Sequence, residues 1–202
     1  DLKKKSARSM QTIRKTELAL AVSMLCAGQA LAACPEQLTA GQDYTATADC
    51  SSPYAIQATN VAAGTVTVNS GVTVAGGSGV ARDRGGVVLG SQFGTPGSAS
   101  LVALINNGTI RGATATTGVG VNMWGDGFST EITSLTNNGT IAGDVGVLTV
   151  NAATIGTLTN SSGATISGAG DAIRLQSGSV GTIINQGTIQ GGSRGIATGN
   201  VP

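Results

Sequence analysis

Asn106-Asn107-Gly108-Thr109-Ile110, NNGTI, is the stretch on which the reading of this chain turns. The same string returns from Asn137 to Ile141, loosens to NSSGATI from Asn160 to Ile166, and reappears as NQGTI from Asn185 to Ile189. Aligned on the Thr-Ile pair, Ile110, Ile141, Ile166 and Ile189 stand 31, 25 and 23 residues apart. An apolar residue precedes the repeated motif, a glycine follows soon after the isoleucine, and then comes another apolar stretch, such as VGVLTV from Val145 to Val150. Each copy therefore predicts a short strand, a tight turn, a second strand and a third. Internal periodicity of this kind marks a stacked repeat, and the absence of i, i+3, i+4 apolar spacing argues against helices.

Three short strands per irregular period, cornered by Gly and Asn, predict an all-β chain folded as a right-handed parallel β-helix. Coils in such a solenoid stack at about 4.8 Å, so equivalent residues lie one above another. That stacking gives each motif residue an expected role. Asn106, Asn137, Asn160 and Asn185 are expected at corners, tolerating a left-handed backbone and passing an amide ladder from coil to coil. Gly108, Gly139, Gly163 and Gly187 are expected to supply positive φ. The isoleucines should face inward and the threonines outward. GTVTVNSGVTVAGG, from Gly64 to Gly77, reads as an earlier and more degenerate coil.

Composition agrees with thin apolar layers. Of 202 residues, 40% are hydrophobic but only 2% aromatic and 10% charged, with 32 glycines; a usual charged share is about 25%. Small β-branched side chains fill a core one coil wide without large rings. The net charge of +1 conceals an asymmetry, because six of the eleven basic residues lie in the first fifteen positions. From Cys34 onward five arginines face eight acids, a net of −3, with no lysine. No cluster remains to neutralise phosphates, which excludes nucleic acid as an expected partner.

Residues 10 to 33, MQTIRKTELALAVSMLCAGQALAA, carry a basic start, an apolar run from Leu18 to Ala27 and small residues. This is the form of a bacterial secretory signal peptide, and the run is shorter than the roughly 20 residues of a membrane-spanning helix. Met10 is the natural start position, with residues 1 to 9 reading as a frame over-extension or fragment edge, or, more plainly, as part of a long basic n-region. Two processing chemistries compete at its end. Ala30-Leu31-Ala32 suits a general signal peptidase that frees Ala33, whereas Leu31-Ala32-Ala33-Cys34 also fits a lipobox that would acylate Cys34. With Cys26 removed alongside the signal, two cysteines remain in an oxidising compartment. Pairing Cys34 with Cys50 leaves no thiol over, and closing that loop would contribute about 3 kcal/mol. The expected division is a signal region over 1–33, a disulfide-closed cap over 34–63, and coils over 64–202.

The signal sequence, the segment CPEQLTAGQDYTATADC between the two cysteines, and the NNGTI coils together resemble the N-terminal part of an autotransporter, a type V secreted protein of Gram-negative bacteria. The resemblance spans nearly the whole chain. It implies a passenger domain at the cell surface or secreted, followed by an outer-membrane β-barrel that translocates it. No barrel-type strands occur up to Asn200-Val201-Pro202, so the expectation is a truncated product or a barrel beyond this piece.

Chemistry is sparse. Without histidine there is no Ser-His-Asp triad and no imidazole base. The Gly-Asp-Ser-Gly and Gly-Asp-Ser-Leu strings of protease and esterase passengers do not occur, and GDGFS, Gly125 to Ser129, lacks a serine directly after Asp126. Asp83 between Arg82 and Arg84 is either a small polar site or a charged loop. Asp144 and Asp171 sit three and five residues after their isoleucines, so they are not expected to form one ion site, and no cofactor or metal is expected. NMWGDGFSTE, Asn122 to Glu131, falls in the longest interval and holds the only tryptophan. Trp124, Asp126 and Phe128 are the candidate binding loop, for a host surface or glycan; the plainer alternative is that Trp124 covers an edge of the stack. The leading expectation is a non-enzymatic exported stalk or adhesin-type module. A polysaccharide-acting surface enzyme and a lipid-anchored solenoid are its alternatives.

Overall fold

Columns of like residues run through the molecule, and they follow from the repeat. The structure, a computed structural model, describes residues 34, 37–52, 54–76, 85–90 and 97–199. The signal region, the Arg82-Asp83-Arg84 loop and residues 200–202 lie outside the described residues.

The first coil is β1 (Tyr44–Ala46), β2 (Cys50–Ser52) and β3 (Tyr54–Ala58); the second is β4 (Ala62–Val68), β5 (Thr73–Gly76) and β6 (Gly85–Leu89). The third is β7 (Ala99–Asn106), β8 (Thr109–Arg111) and β9 (Val119–Trp124). In the next two coils the second and third strands run on as one: β10 (Thr130–Asn137) with β11 (Thr140–Val150), then β12 (Thr154–Asn160) with β13 (Thr165–Gln176). The last described coil is β14 (Ser179–Asn185), β15 (Thr188–Gly191) and β16 (Arg194–Thr198). Every named strand pairing is parallel.

Three faces result. One sheet stacks β1, β4, β7, β10, β12 and β14. A second face stacks β2, β5 and β8 under the first half of β11, and a third stacks β3, β6 and β9 under its second half. A register shift between Gly143 and Val145 lets β11 turn from one face to the next without breaking. This is an all-β parallel solenoid with three strands per coil, and its described residues contain no helix.

The core is built by vertical repetition. Leu101, Ile132, Ile155 and Val180 stack along the first face, and beside them Val66, Leu104, Leu135, Leu158 and Ile183. On the second face the column is Cys50, Val74, Ile110, Ile141, Ile166, Ile189. On the third it is Ile56, Val87, Val121, Val147, Ile173, Ile196. Ile110, Ile141 and Ile166 are fully buried, and the threonines before them are half-buried at the surface. Each buried Leu, Ile or Val contributes about 1.5–3 kcal/mol of transfer free energy, which explains how a chain so poor in aromatic rings holds a core.

The N-terminal end is closed. Cys34 and Cys50 form a disulfide with their Cα atoms 5.3 Å apart. Leu38, 1% exposed, seals the first coil from below, and Leu38 N–H and Gly41 N–H donate to the carbonyls of Gln57 and Ala62, each at 2.8 Å. Residues 44–58 already form a full coil and β4 starts at Ala62, so the cap proper lies ahead of Tyr44 and is shorter than the 34–63 span read from the sequence.

The motif itself works differently from the expectation in two respects. Asn106, Asn137, Asn160 and Asn185 are the last residues of their strands, and none has positive φ. The first three are fully buried. They point inward, and their amides form the predicted ladder: Asn106 Nδ2 donates to Asn137 Oδ1 at 2.8 Å, Asn137 Nδ2 to Asn160 Oδ1 at 2.9 Å, and Asn160 Nδ2 to Asn185 Oδ1 at 2.8 Å. Each of these donors also reaches a threonine carbonyl in the coil above, Thr140, Thr165 or Thr188, at 2.9–3.0 Å. In the tight corners the carboxamide oxygen accepts the N–H of the glycine two residues on, as Gly108 does to Asn106 at 3.2 Å. Asparagine is needed as a donor and acceptor that bridges coils, not as a left-handed residue.

The glycines divide likewise. Gly108, Gly139 and Gly187 have ordinary φ, but a Cβ there would lie 2.3, 2.1 and 2.3 Å from the carbonyl oxygens of Val72, Gly108 and Ala164. They are glycine because the preceding coil's backbone occupies the space. Gly163 alone among the four has positive φ, +79°, with open space around its Cβ position. Its corner is two residues longer, since Asn137 and Thr140 lie beneath Asn160 and Thr165. Gly71, φ +76° and also unobstructed, repeats that wider corner beneath Asn106. Both close with a backbone turn, Val72 N–H to Asn69 O and Ala164 N–H to Ser161 O, of the kind that requires glycine at its third position.

Candidate functional site

Side chains alternate along a strand, so the third face has an outer surface. Along β9, Val121 and Met123 enter the main core, whereas Val119 and Trp124 join a second cluster with Val145, Leu148 and Val150. That cluster lies on the outside of the same sheet. A groove of about 230 Å³ opens over it. Val119, Val145 and Leu148 supply its apolar lining, and Asn122, Trp124, Asp144, Arg174 and Gln176 its polar and aromatic edges.

The register explains how distant residues meet there. Asn122 lies beside Leu148, and Leu148 beside Arg174, in three successive coils. Asp144 sits at the irregularity where β11 changes face. Gln176 follows Leu175, which packs on the core, and so points to the outer surface.

Trp124 is held rather than free. Its indole N–H donates to Asn122 Oδ1 at 2.7 Å, and its carbonyl accepts the hydroxyl of Thr130 at 2.7 Å. Asn122 is 1% exposed, so the hydrogen bond fixes the ring against a buried anchor. Arg174 is steered by Asp171: its Nε donates to Asp171 Oδ2 at 2.7 Å, while Arg194, from the coil above, donates to Oδ1 at 2.9 Å. Asp171 is fully buried. Burial alone would raise its pKa, but the hydrogen bonds from Arg174 and Arg194, and then their charges, outweigh burial and hold it below the ordinary carboxylate value.

The candidate loop read from the sequence separates into different roles. Asn122, Met123 and Trp124 are strand residues, with Met123 fully buried in the core. Only residues 125–129 form the loop, turning through Asp126 and Gly127 at φ +35° and +83°. Asp126 accepts a hydrogen bond from Asn151 Nδ2 in the next coil. Phe128 is 40% exposed. Neither Asp126 nor Phe128 lines the groove, and Trp124 does. The long interval also contains a second insertion that the sequence reading passed over. Arg111 and Val119, eight positions apart, lie beneath Ala142 and Val145, three apart, leaving residues 112–118 as an extra loop tied by Thr114 to Thr117.

Asp144 and Asp171 do not meet as an ion site: Asp171 pairs with Val145 in the sheet and with two arginines through its side chain. Among the described residues no three His, Cys, Asp or Glu side chains cluster as metal ligands. The groove offers an aromatic face, amides, one carboxylate and one guanidinium. Asn122, Asp144, Arg174 and Gln176 were not singled out as groove residues from sequence; aligning the outward positions of coils three to five would have brought all but Asp144 together.

Comparison with known protein families, with curated proteins and with solved structures gave no significant match.

Proposed function

We propose that this chain is the N-terminal part of an exported, autotransporter-type passenger, in which a right-handed parallel β-helix serves as a surface stalk or adhesin-type module without enzymatic activity. The observation that carries the reading is the self-matching stack: six coils held by columns of like residues and an asparagine ladder. Such a rod presents a long lateral surface at little cost in core volume. The signal-like segment upstream and the Cys34–Cys50 bond support export to an oxidising compartment with processing ahead of Cys34, and the bond favours that route over acylation of the same sulfur. The chemistry of the groove supports binding over turnover. Its lining contains one carboxylate, Asp144, whereas glycoside hydrolysis ordinarily needs a facing pair.

The test is export in a Gram-negative host from the complete coding region, with an epitope placed in the 112–118 loop. Surface labelling of intact cells, and a mature N-terminus just ahead of Cys34, are the expected results. Retention in the cytoplasm, or an acyl mass on Cys34, would sink the reading; so would a downstream coding region without an outer-membrane barrel.

A further inference from the structure

We infer that the groove over β9, β11 and β13 is a binding site for one ring of a neutral saccharide, stacked on Trp124. The inference rests on the surface-module reading, since it names the ligand class of a site on that module's flank.

Size sets the first limit. At about 230 Å³ the groove is smaller than the roughly 300–1,000 Å³ of sites for drug-sized ligands, and it suits a single ring with its neighbours lying in solvent. Surface chemistry sets the second. A pyranose ring has an apolar face of C–H bonds and an equator of hydroxyls that both donate and accept. The groove offers the complement of each: an indole beside Val119, Val145 and Leu148, and around them Asp144, Arg174 and Gln176, with Asn122 serving as the buried anchor of the indole. Planar amide, carboxylate and guanidinium groups can each engage a pair of adjacent hydroxyls.

Preorganisation distinguishes this place from an incidental surface aromatic. The hydrogen bond from Trp124 Nε1 to Asn122 Oδ1, 2.7 Å, fixes the ring before any ligand arrives. Asp171 holds the Arg174 side chain by its Nε, and Arg174 lines the groove. Groups held in this way lose little entropy on binding. Charge sets the last limit. Asp144 and Asp171 balance Arg174 and Arg194 across the site and its border, so the local sum is zero, and neither an acidic sugar nor a basic peptide is favoured over an uncharged ring.

Trp124 is the only tryptophan in the chain, so its emission reports on this groove alone. The purified 202-residue chain is titrated with glucose, galactose, mannose, N-acetylglucosamine and short β-linked oligomers of each, and with galacturonate and a mixed peptide digest as charged and peptidic probes. At least one neutral sugar should shift and saturate the emission with a dissociation constant in about the millimolar range, as expected for a single-ring contact. Saturation-transfer NMR should show the ring C–H face in contact. Asp144→Asn, an exposed position, should weaken that affinity several-fold at unchanged unfolding midpoint, and Phe128→Ala should leave it unchanged. No saturable response to any neutral sugar, response to galacturonate or peptide alone, or loss of binding with Phe128→Ala and not with Asp144→Asn, each overturns the proposal. Because the binding is read on purified protein, a negative result leaves the export experiment standing, and failed export leaves the binding result intact.

Discussion

Asn106 donates its side-chain Nδ2–H to Asn137 Oδ1 at 2.8 Å, and the two residues are adjacent partners in neighbouring coils although 31 positions separate them in sequence. Asn137 then passes a bond of its own to Asn160 and another to the carbonyl of Thr165, so it is the middle rung of a buried chain. Asn137→Ala removes those bonds and leaves one Asn106 Nδ2 hydrogen, the Asn160 Oδ1 and the Thr165 carbonyl without the partner that Asn137 supplied, while Asn106 keeps its bonds to Thr140 and Gly108. The expected loss is about 2–4 kcal/mol in urea unfolding. Val68 occupies the same column between Ala46 and Asn106 and is fully buried, so the column accepts an apolar side chain. Replacing Asn106, Asn137 and Asn160 together by Val should therefore cost clearly less than the sum of the three single changes. Strict additivity would show that the rungs do not act as a ladder.

The glycines give a second comparison, between steric and conformational need. Gly139→Ala forces a Cβ to within 2.1 Å of the Gly108 carbonyl oxygen, and neither backbone can yield without opening the coil spacing. We expect a loss of about 3 kcal/mol. Gly163→Ala meets nothing within 4 Å but must hold φ near +79°, costing about 1 kcal/mol, and Gly163→Asn should cost less still. Thermal unfolding of the three variants gives the order, and a Gly163→Ala variant less stable than Gly139→Ala would reverse this account.

How much of this could be read from the sequence follows the same division. The columns were legible, because Ile110, Ile141 and Ile166 recur in the same local pattern and burial of one requires burial of all. The ladder was legible as chemistry but not as geometry: whether Asn137 turns inward depends on the backbone it ends, not on its own preference. Why Gly139 is glycine was hidden, since the obstructing atom belongs to Gly108, one coil away. Trp124 stood out as a lone aromatic, yet its companions did not. Arg174 reaches the groove only because β9, β11 and β13 align, and Asp144 only because the register shifts after Gly143. Spacing within one copy carries no information about that shift.

Thr149 offers a change expected to stabilise. It is fully buried in the column between Met123 and Leu175, among core side chains, and among the described residues its Oγ1 is the one buried side-chain polar atom without a partner. Thr149→Val keeps the shape and removes the stranded hydroxyl, which should raise stability by about 1 kcal/mol. Thr149→Ser keeps the hydroxyl, loses the methyl and should lower it. If Val destabilises, the hydroxyl has a role that the stacking does not account for.

Asp171 links stability to pH, with a sign fixed by its two arginines. Its native pKa lies below the ordinary value, so the unfolded chain binds the proton first as pH falls. The stabilisation is thus fully present above the unfolded pKa of about 3.9 and is lost as pH drops through the lower native value. Arg174 and Arg194 keep 24% and 45% of their side-chain surface in solvent, so screening reduces what the pairs contribute, and Asp171→Asn should cost only about 1–2 kcal/mol at neutral pH. Urea unfolding midpoints measured from pH 7 downward should converge for wild type and variant at the acid end, because protonation imposes on the wild type what the substitution imposes at every pH. Two curves that stay parallel to the lowest pH would mean that Asp171 is not the group whose protonation weakens the fold.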